Sequence, residues 1–158
     1  MRTRQERRGA ALEESYRRLA QVHLNGPLIE TLAVLGDDST EPWIIDQAAN
    51  GFGGWCAAEL LRARGQIKLR DCGDETGSVA LFRGALNLAT QQGILAWELR
   101  AATSLAMVLG EIGEAEDAFE LLQQTRAKFT EGFDSIDFAR ATGVLHSLSL
   151  LRPNSAAT

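Results

Sequence analysis

The feature that most constrains this chain is a pair of apolar stripes with helical spacing in its C-terminal half, from about residue 97 to residue 138. Small residues, mainly alanine, recur inside both stripes, and a break that contains Gly110 and Gly113 separates them. Apolar residues that recur every three or four positions indicate amphipathic helices. Small residues at a helix crossing let two backbones approach closely. The pattern therefore predicts two helices that pack together as an antiparallel hairpin.

Part of this pattern occurs twice, which indicates an internal repeat. Two of the matching pairs are 37 residues apart and the third is 39 apart, so loop lengths differ between the units. The pairs are Ser78 with Ala115, Phe82 with Phe119, and Glu59-Leu60 with Glu98-Leu99. A period of about 34–40 residues in helix–turn–helix units is typical of tetratricopeptide (TPR)-like solenoids, because a lone hairpin cannot bury both of its faces. The predicted fold is all-α, with about seven or eight antiparallel helices stacked as hairpins in a short, TPR-like right-handed solenoid.

The same periodicity, with glycine, proline and aspartate at its interruptions, divides the whole chain into segments. We predict weakly defined N-terminal helices in residues 1–41, a TPR-like repeat domain in residues 42–152 and a frayed tail in residues 153–158. No segment shows strict alternation bounded by hairpin turns, so no strand is predicted. The predicted helices cover residues 4–24, 27–35, 40–50, 55–69, 75–91, 95–109 and 114–129, followed by a last helix capped by Asp134 or Ser135.

The positions of large side chains within the helical pattern predict which of them are buried. Phe82 and Phe119 are predicted to fill equivalent buried positions one repeat apart. On the first repeat helix, one side is predicted to carry Ala57, Leu60, Leu61, Arg64 and Ile67. The three tryptophans are expected to pack in the core rather than to act as exposed anchors; they are Trp43, Trp55 and Trp97.

Charge and composition exclude several classes of function. The formal net charge is −5, which argues against general binding of nucleic acid. Residues 1–18 hold six arginines and three glutamates, but this mixture is typical of a solvated helix face rather than a nucleic-acid arm. Two cysteines, Cys56 and Cys72, are too few for a disulfide scaffold and are expected to be buried as small hydrophobic residues in a reducing compartment. No apolar run approaches the ~20 residues that span a bilayer, and no secretory leader is expected. We therefore expect a cytoplasmic protein that binds neither nucleic acid nor membrane.

No set of residues predicts catalysis. The soft metal ligands Cys56, Cys72, His23 and His146 form neither a Cys-x-x-Cys nor a His-x-x-x-His pair. A Cys56–His146 nucleophile–base pair would need a third group to orient the base. The segment Gly51-Phe52-Gly53-Gly54 follows a predicted helix and lacks a nearby lysine, so it is interpreted as a linker rather than a phosphate loop. We predict no catalytic residue, no cofactor and no metal ion, and expect that the chain is not an enzyme.

Three runs of residues resemble a known family. They are Trp97-Glu98-Leu99-Arg100-Ala101-Ala102-Thr103-Ser104-Leu105-Ala106, Gly113-Glu114-Ala115, and Phe129-Thr130-Glu131-Gly132-Phe133-Asp134. This sequence resembles the C-terminal TPR-like repeat region of bacterial adenylate/guanylate cyclase–ATPase signalling proteins, and the likeness covers about residues 42–150. The chain departs from those proteins because it has no Gly-x-x-x-x-Gly-Lys-Ser/Thr loop and only two lysines, Lys68 and Lys128. The resemblance therefore implies the scaffold part of such a protein, stand-alone or detached, without its catalytic domains.

The predicted function is a non-catalytic scaffold for protein–protein interaction in bacterial signalling. In such a solenoid the first helix of each hairpin would line a concave groove that holds a peptide or a helix of the partner. The candidate partner-binding residues, all on first helices, are Arg62, Lys68, Glu98, Arg100 and Thr103. The alternative is a structural domain that self-associates, as a homodimer, through exposed apolar ends. A stable dimer with no other partner would favour this alternative.

Overall fold

A computed structural model describes residues 54–152, which form five α-helices and no strand. The helices are α1 (Ala57–Cys72), α2 (Glu75–Gln92), α3 (Leu95–Glu111), α4 (Ala115–Arg126) and α5 (Ile136–Leu151). The all-α prediction is confirmed for this part of the chain. No helix in residues 54–152 is long and apolar enough to cross a bilayer. The helices predicted before residue 51, Trp43 and the boundary at residue 41 lie outside the described residues.

Helices that are consecutive in the chain pack against each other in antiparallel pairs. In addition, the first helix of each repeat (α1, α3 or α5) contacts the first helix of the neighbouring repeat. Each helix contacts the one that follows it in the chain. In addition α3 contacts α1 and α5, whereas α2 and α4 do not contact each other. Helices α1, α3 and α5 therefore form one continuous layer, with α2 and α4 packed against it. Because α3 contacts all four other helices, it is the centre of the described fold.

The structure extends the repeat to a third unit. At intervals of 39 residues, matched positions of α1, α3 and α5 carry the same kind of side chain. The matched sets are the acids Glu59, Glu98 and Asp137, the apolar residues Leu60, Leu99 and Phe138, the alanines Ala63, Ala102 and Ala141, and the small residues Gly65, Ser104 and Gly143. All three apolar members are buried. Helix α5 is therefore the first helix of a third repeat.

The helix ends follow from specific capping residues. Gly73 and Gly93 adopt positive φ angles of 62° and 69°, a conformation that glycine accepts without steric cost and that ends α1 and α2. Asp74 and Ser135 cap the starts of α2 and α5, because their side chains accept hydrogen bonds from backbone N–H groups three residues later. The caps predicted at Gly93 and Ser135 are confirmed. Helix α1 continues to Cys72, since its terminating glycine comes later than the predicted end, and α4 ends three residues early at Arg126.

The buried core depends on close approach between helices at two glycines. A Cβ atom placed on Gly65 of α1 would lie 2.5 Å from the ring of Phe82, and one on Gly110 of α3 would lie 2.6 Å from Leu148. Phe82 is 1% exposed and lies against bare backbone, which only glycine provides. The ring of Phe119 is only partly buried, and the Arg152 guanidinium lies 4.3 Å from its centroid. The two phenylalanines are therefore not equivalent in burial, contrary to the prediction.

Three other expectations about burial have mixed outcomes. Trp97 is buried, as predicted, but Trp55 stacks on it at 5.2 Å between ring centroids and is 54% exposed. Cys56 is buried and Cys72 is exposed. Of the five residues predicted to share one side of α1, Leu60 is fully buried and the other four are partly buried. The fully buried side of α1 carries charged residues as well as apolar ones.

Two glycine substitutions provide a test of the close approach between α1 and α2. Gly65→Ala should destabilise the fold by about 1–3 kcal/mol, because the added methyl group overpacks against Phe82. Gly84→Ala is the matched control on α2, since its Cβ would make an ordinary 3.8 Å contact with Leu61. This control should stabilise the fold by about 0.5–1 kcal/mol through helix propensity. Chemical denaturation measures both, and equal effects of the two substitutions would contradict the packing.

Truncation of the two repeat phenylalanines should give unequal losses of stability. Phe82→Ala should cost about 3–5 kcal/mol, because it leaves a cavity among buried side chains. Phe119→Ala should cost about 1–2 kcal/mol, because its ring is already partly exposed. Chemical denaturation of both variants under one set of conditions measures the difference. A loss below about 1 kcal/mol for Phe82→Ala would show that the repeat register is wrong.

Candidate partner-binding surface

A buried carboxylate lies at the centre of the layer of first helices. Glu59 of α1 is 1% exposed and accepts hydrogen bonds from Arg62 at 2.9 Å to Oε2 and 2.5 Å to Oε1. Arg100 of α3 places its Nη1 3.0 Å from Oε1 of the same carboxylate. A buried charge is tolerated only when it is paired and hydrogen-bonded. Two guanidinium groups from two helices meet this requirement for Glu59.

Arg100 extends this network to the third repeat. Its Nε lies 3.7 Å from Oδ1 of Asp137, at the start of α5. That separation makes an ion pair but is longer than a hydrogen bond. Arg100 therefore joins the acid of the first repeat, Glu59, to the matched acid of the third. Its side chain is 24% exposed, so part of the guanidinium faces solvent.

The acid of the second repeat is held differently. Glu98 is 6% exposed, and its Oε1 pairs with Nζ of Lys128, which follows α4 and is 48% exposed. Thr103, on the same helix, is 4% exposed, and its hydroxyl donates to the Leu99 carbonyl oxygen at 2.7 Å. Both polar side chains are therefore satisfied inside the fold, and their contact with any ligand would need the surrounding groups to move.

Lys68 lies at the other end of α1, next to the turn into α2. Its Nζ is 2.9 Å from Oδ2 of Asp74, which caps α2 by accepting from the Gly77 N–H at 2.7 Å. The Gly77 N–H, and after it the Lys68 ammonium, hold the pKa of Asp74 below its ordinary value. Asp74 in turn raises the pKa of Lys68 by hydrogen bonding and by its charge. The pair therefore fixes the α1–α2 turn.

The structure brings together only some of the five predicted partner-binding residues. Arg62 and Arg100 meet on Glu59, while Lys68 lies two helical turns along α1 from Arg62, about 9 Å away. Glu98 and Thr103 are buried, and Arg100 and Lys68 are the two with substantial exposure. Their role in binding a partner stays a prediction. Glu59 and Asp137, the carboxylates that hold Arg100, are not among the predicted site residues, although an acid that recurs every 39 residues is a sequence signal for them.

A separate groove runs between the C-terminal end of α3 and most of the length of α5. It encloses about 430 Å³ and is lined mainly by apolar side chains and by the backbone of two glycines. Met107 and Leu151 project into it and are 38% and 61% exposed. The full lining is Met107, Gly110, Glu111, Arg140, Gly143, Val144, Ser147, Leu148 and Leu151.

Comparison of the chain with protein-family models, with curated proteins and with solved structures finds no match. Within residues 54–152, no group of three or more His, Cys, Asp or Glu side chains is placed to hold a metal ion. Of the soft ligands considered from the sequence, Cys56 is buried and His146 is exposed, and His23 lies outside the described residues. Hypotheses about function therefore depend on the packing and charge pairs described above.

The buried network predicts a large cost for removing one guanidinium. Arg62→Met keeps much of the side-chain volume but leaves Glu59 with Arg100 alone, so stability should fall by about 3 kcal/mol. The control is Arg152→Met, which removes a pair with Glu116, a side chain that is 48% exposed. It should cause a clearly smaller loss, because solvent screens exposed pairs. Equal losses in chemical denaturation would show that the Glu59 network adds nothing beyond an ordinary surface pair.

The Lys68–Asp74 pair predicts a pH dependence of stability. Because the pKa of Asp74 is depressed in the fold, its contribution is present above its ordinary pKa of about 3.9 and is lost as pH falls through the folded value. Asp74→Asn preserves a capping oxygen but removes the charge, so stability should fall less steeply between about pH 5 and pH 2. Lys68→Met should reduce the slope only in part, since the Gly77 N–H remains. Unfolding curves at several pH values measure the slopes, and unchanged slopes would contradict the assignment.

Proposed function

We propose that this chain is a non-catalytic, TPR-like scaffold that binds a protein or peptide partner. The observation that carries the proposal is the continuous layer of α1, α3 and α5, with the partly exposed Arg100 guanidinium between the first and third repeats. A solenoid of this kind, right-handed as in TPR proteins, presents its first helices to an extended segment of a partner. The surface would act by positioning a partner rather than by chemistry.

Arg100 is the residue best placed to contact a partner. A guanidinium has five N–H donors in a planar arrangement. One nitrogen contacts Glu59 and another lies 3.7 Å from Asp137, so donors remain for a carboxylate or a backbone carbonyl of the partner. Its position is fixed by charge on two sides before binding. A group that is already ordered loses less conformational entropy on binding, which favours affinity.

The other predicted residues have supporting roles in this proposal. Lys68 is 42% exposed and can contact a partner directly. Arg62, Glu98 and Thr103 hold the layer in shape through contacts inside the fold. We further propose that the scaffold is the stand-alone or detached C-terminal part of a cytoplasmic bacterial cyclase–ATPase signalling protein. The three runs that resemble that family support this origin, and they imply neither a nucleic-acid nor a membrane partner.

A conservative substitution tests the proposed role of Arg100. Arg100→Lys keeps a positive charge beside Glu59 but removes the planar set of donors. Affinity capture followed by titration of the recovered partner should show about tenfold weaker binding for Arg100→Lys. The matched control is Arg83→Lys on the exposed side of α2, which should bind as the parent chain does.

Two results would contradict the proposal. One is a partner whose affinity is unaffected by both Arg100→Lys and Lys68→Met, while thermal unfolding shows that the variants are folded. The other is stoichiometric, micromolar binding of a nucleotide in calorimetry, which would favour a catalytic or nucleotide-regulated role.

A further inference from the structure

The face of α5 that carries Gly143 is open, whereas its counterparts in the first two repeats are buried. Gly143 corresponds to Gly65 and Ser104 at intervals of 39 residues, and both of those residues are buried. Gly65 lies beneath the ring of Phe82, on the helix that pairs with α1. A Cβ atom on Gly143 would meet nothing within 4 Å. The face of α1 at Gly65 is therefore covered by α2, whereas the matching face of α5 at Gly143 is covered by no helix within residues 54–152.

The open face forms one wall of the groove between α3 and α5. Apolar side chains from both helices line that groove, among them Met107, Val144 and Leu151. The backbone at Gly143 is bare, so another helix could approach it as closely as α2 approaches Gly65. Exposed apolar side chains around a groove mark an interaction site, and a groove between helices fits the apolar face of a further helix.

Charges on the two walls indicate what that helix is. Glu111, at the end of α3, and Arg140, on α5, are both exposed and both line the groove. Neither side chain forms a hydrogen bond or an ion pair within residues 54–152. One wall is therefore acidic and the other basic. In a two-fold symmetric pair, the same patch meets itself, so Glu111 of each copy can face Arg140 of the other.

We propose that the α3/α5 groove is the interface of a two-fold symmetric homodimer, in which α5 of each copy lies in the groove of the other near Gly143. The partner helix supplies the apolar contacts for Met107 and Leu151, and the bare backbone at Gly143 allows the close approach. Two reciprocal Glu111–Arg140 pairs set the orientation of the copies. Arg100 does not line this groove: Glu111 lies eleven residues after it on α3, about 16 Å away, and Arg140 follows Asp137, the α5 partner of Arg100, by three residues.

A charge-reversal cycle on the full chain tests this interface by sedimentation equilibrium. The parent chain should show a concentration-dependent dimer. Glu111→Arg and Arg140→Glu should each raise the dimer dissociation constant by about tenfold, because each places like charges together twice. The double substitution should restore the dimer, since it exchanges the signs across the two-fold axis. The controls Arg83→Glu and Glu131→Arg change exposed charges outside the groove and should leave the dissociation constant unchanged.

A substitution at Gly143 separates a loss of the dimer from a loss of folding. Gly143→Leu has open space around it and raises helix propensity, so the melting temperature of the monomer should not fall. The added side chain fills the groove, so the dimer should be lost. Three results would overturn the proposal: a monomeric parent chain, as expected if another segment of the same chain covers the groove; a dimer that tolerates Gly143→Leu and both single reversals; or a double reversal that stays monomeric. Because Arg100→Lys leaves the groove unchanged, partner binding and self-association can fail independently.

Discussion

Helix α3 can lie at the centre of this fold only because the charges it carries into the interior meet opposite charges from neighbouring segments. It contacts all four other described helices, and most of its length is buried. Glu98 is paired with Lys128, and Arg100 with Glu59 and Asp137. An unpaired charge at Glu98 would cost several kcal/mol, because that side chain is only 6% exposed, whereas the partly exposed Arg100 keeps some of its hydration. The stacking of three repeats thus requires charge pairing between repeats as well as apolar contact.

Much of the helical architecture could be predicted from local sequence because its determinants are local. Gly93 ends α2 through its own backbone conformation, and Ser135 starts α5 through a hydrogen bond to Phe138. The buried side of α1 could not be predicted in this way. A periodicity that scores charged residues as exposed places Glu59 and Arg62 outside, yet both are buried. Their burial depends on Arg100, which is 41 residues away from Glu59 in sequence and adjacent in space.

The candidate site was predictable to a similar, partial extent. Sequence identified polar residues on first helices, and the structure confirms those helix positions for all five. The sequence does not show which of these side chains form ion pairs or hydrogen bonds inside the fold, because each pair involves a residue from a second segment of the chain. Glu98, for example, is held by Lys128 from thirty residues later, while Lys68 is held by a turn that follows it closely. Phe119 shows the same limit, since its partial exposure beneath Arg152 depends on the end of α5.

Paired and unpaired charges distinguish the two surfaces to which we assign proposed functions. Along the layer of first helices, acids at the repeated position are matched by basic groups from neighbouring segments, so this surface is rigid and already ordered. At the α3/α5 groove, Glu111 and Arg140 face solvent across apolar side chains and a bare glycine backbone. Apolar surface that stays in water is unfavourable, and a helix that covers it can also pair with the two exposed charges. The groove follows from the repeat architecture. The first helix of a repeat buries its apolar face only when another helix packs against it.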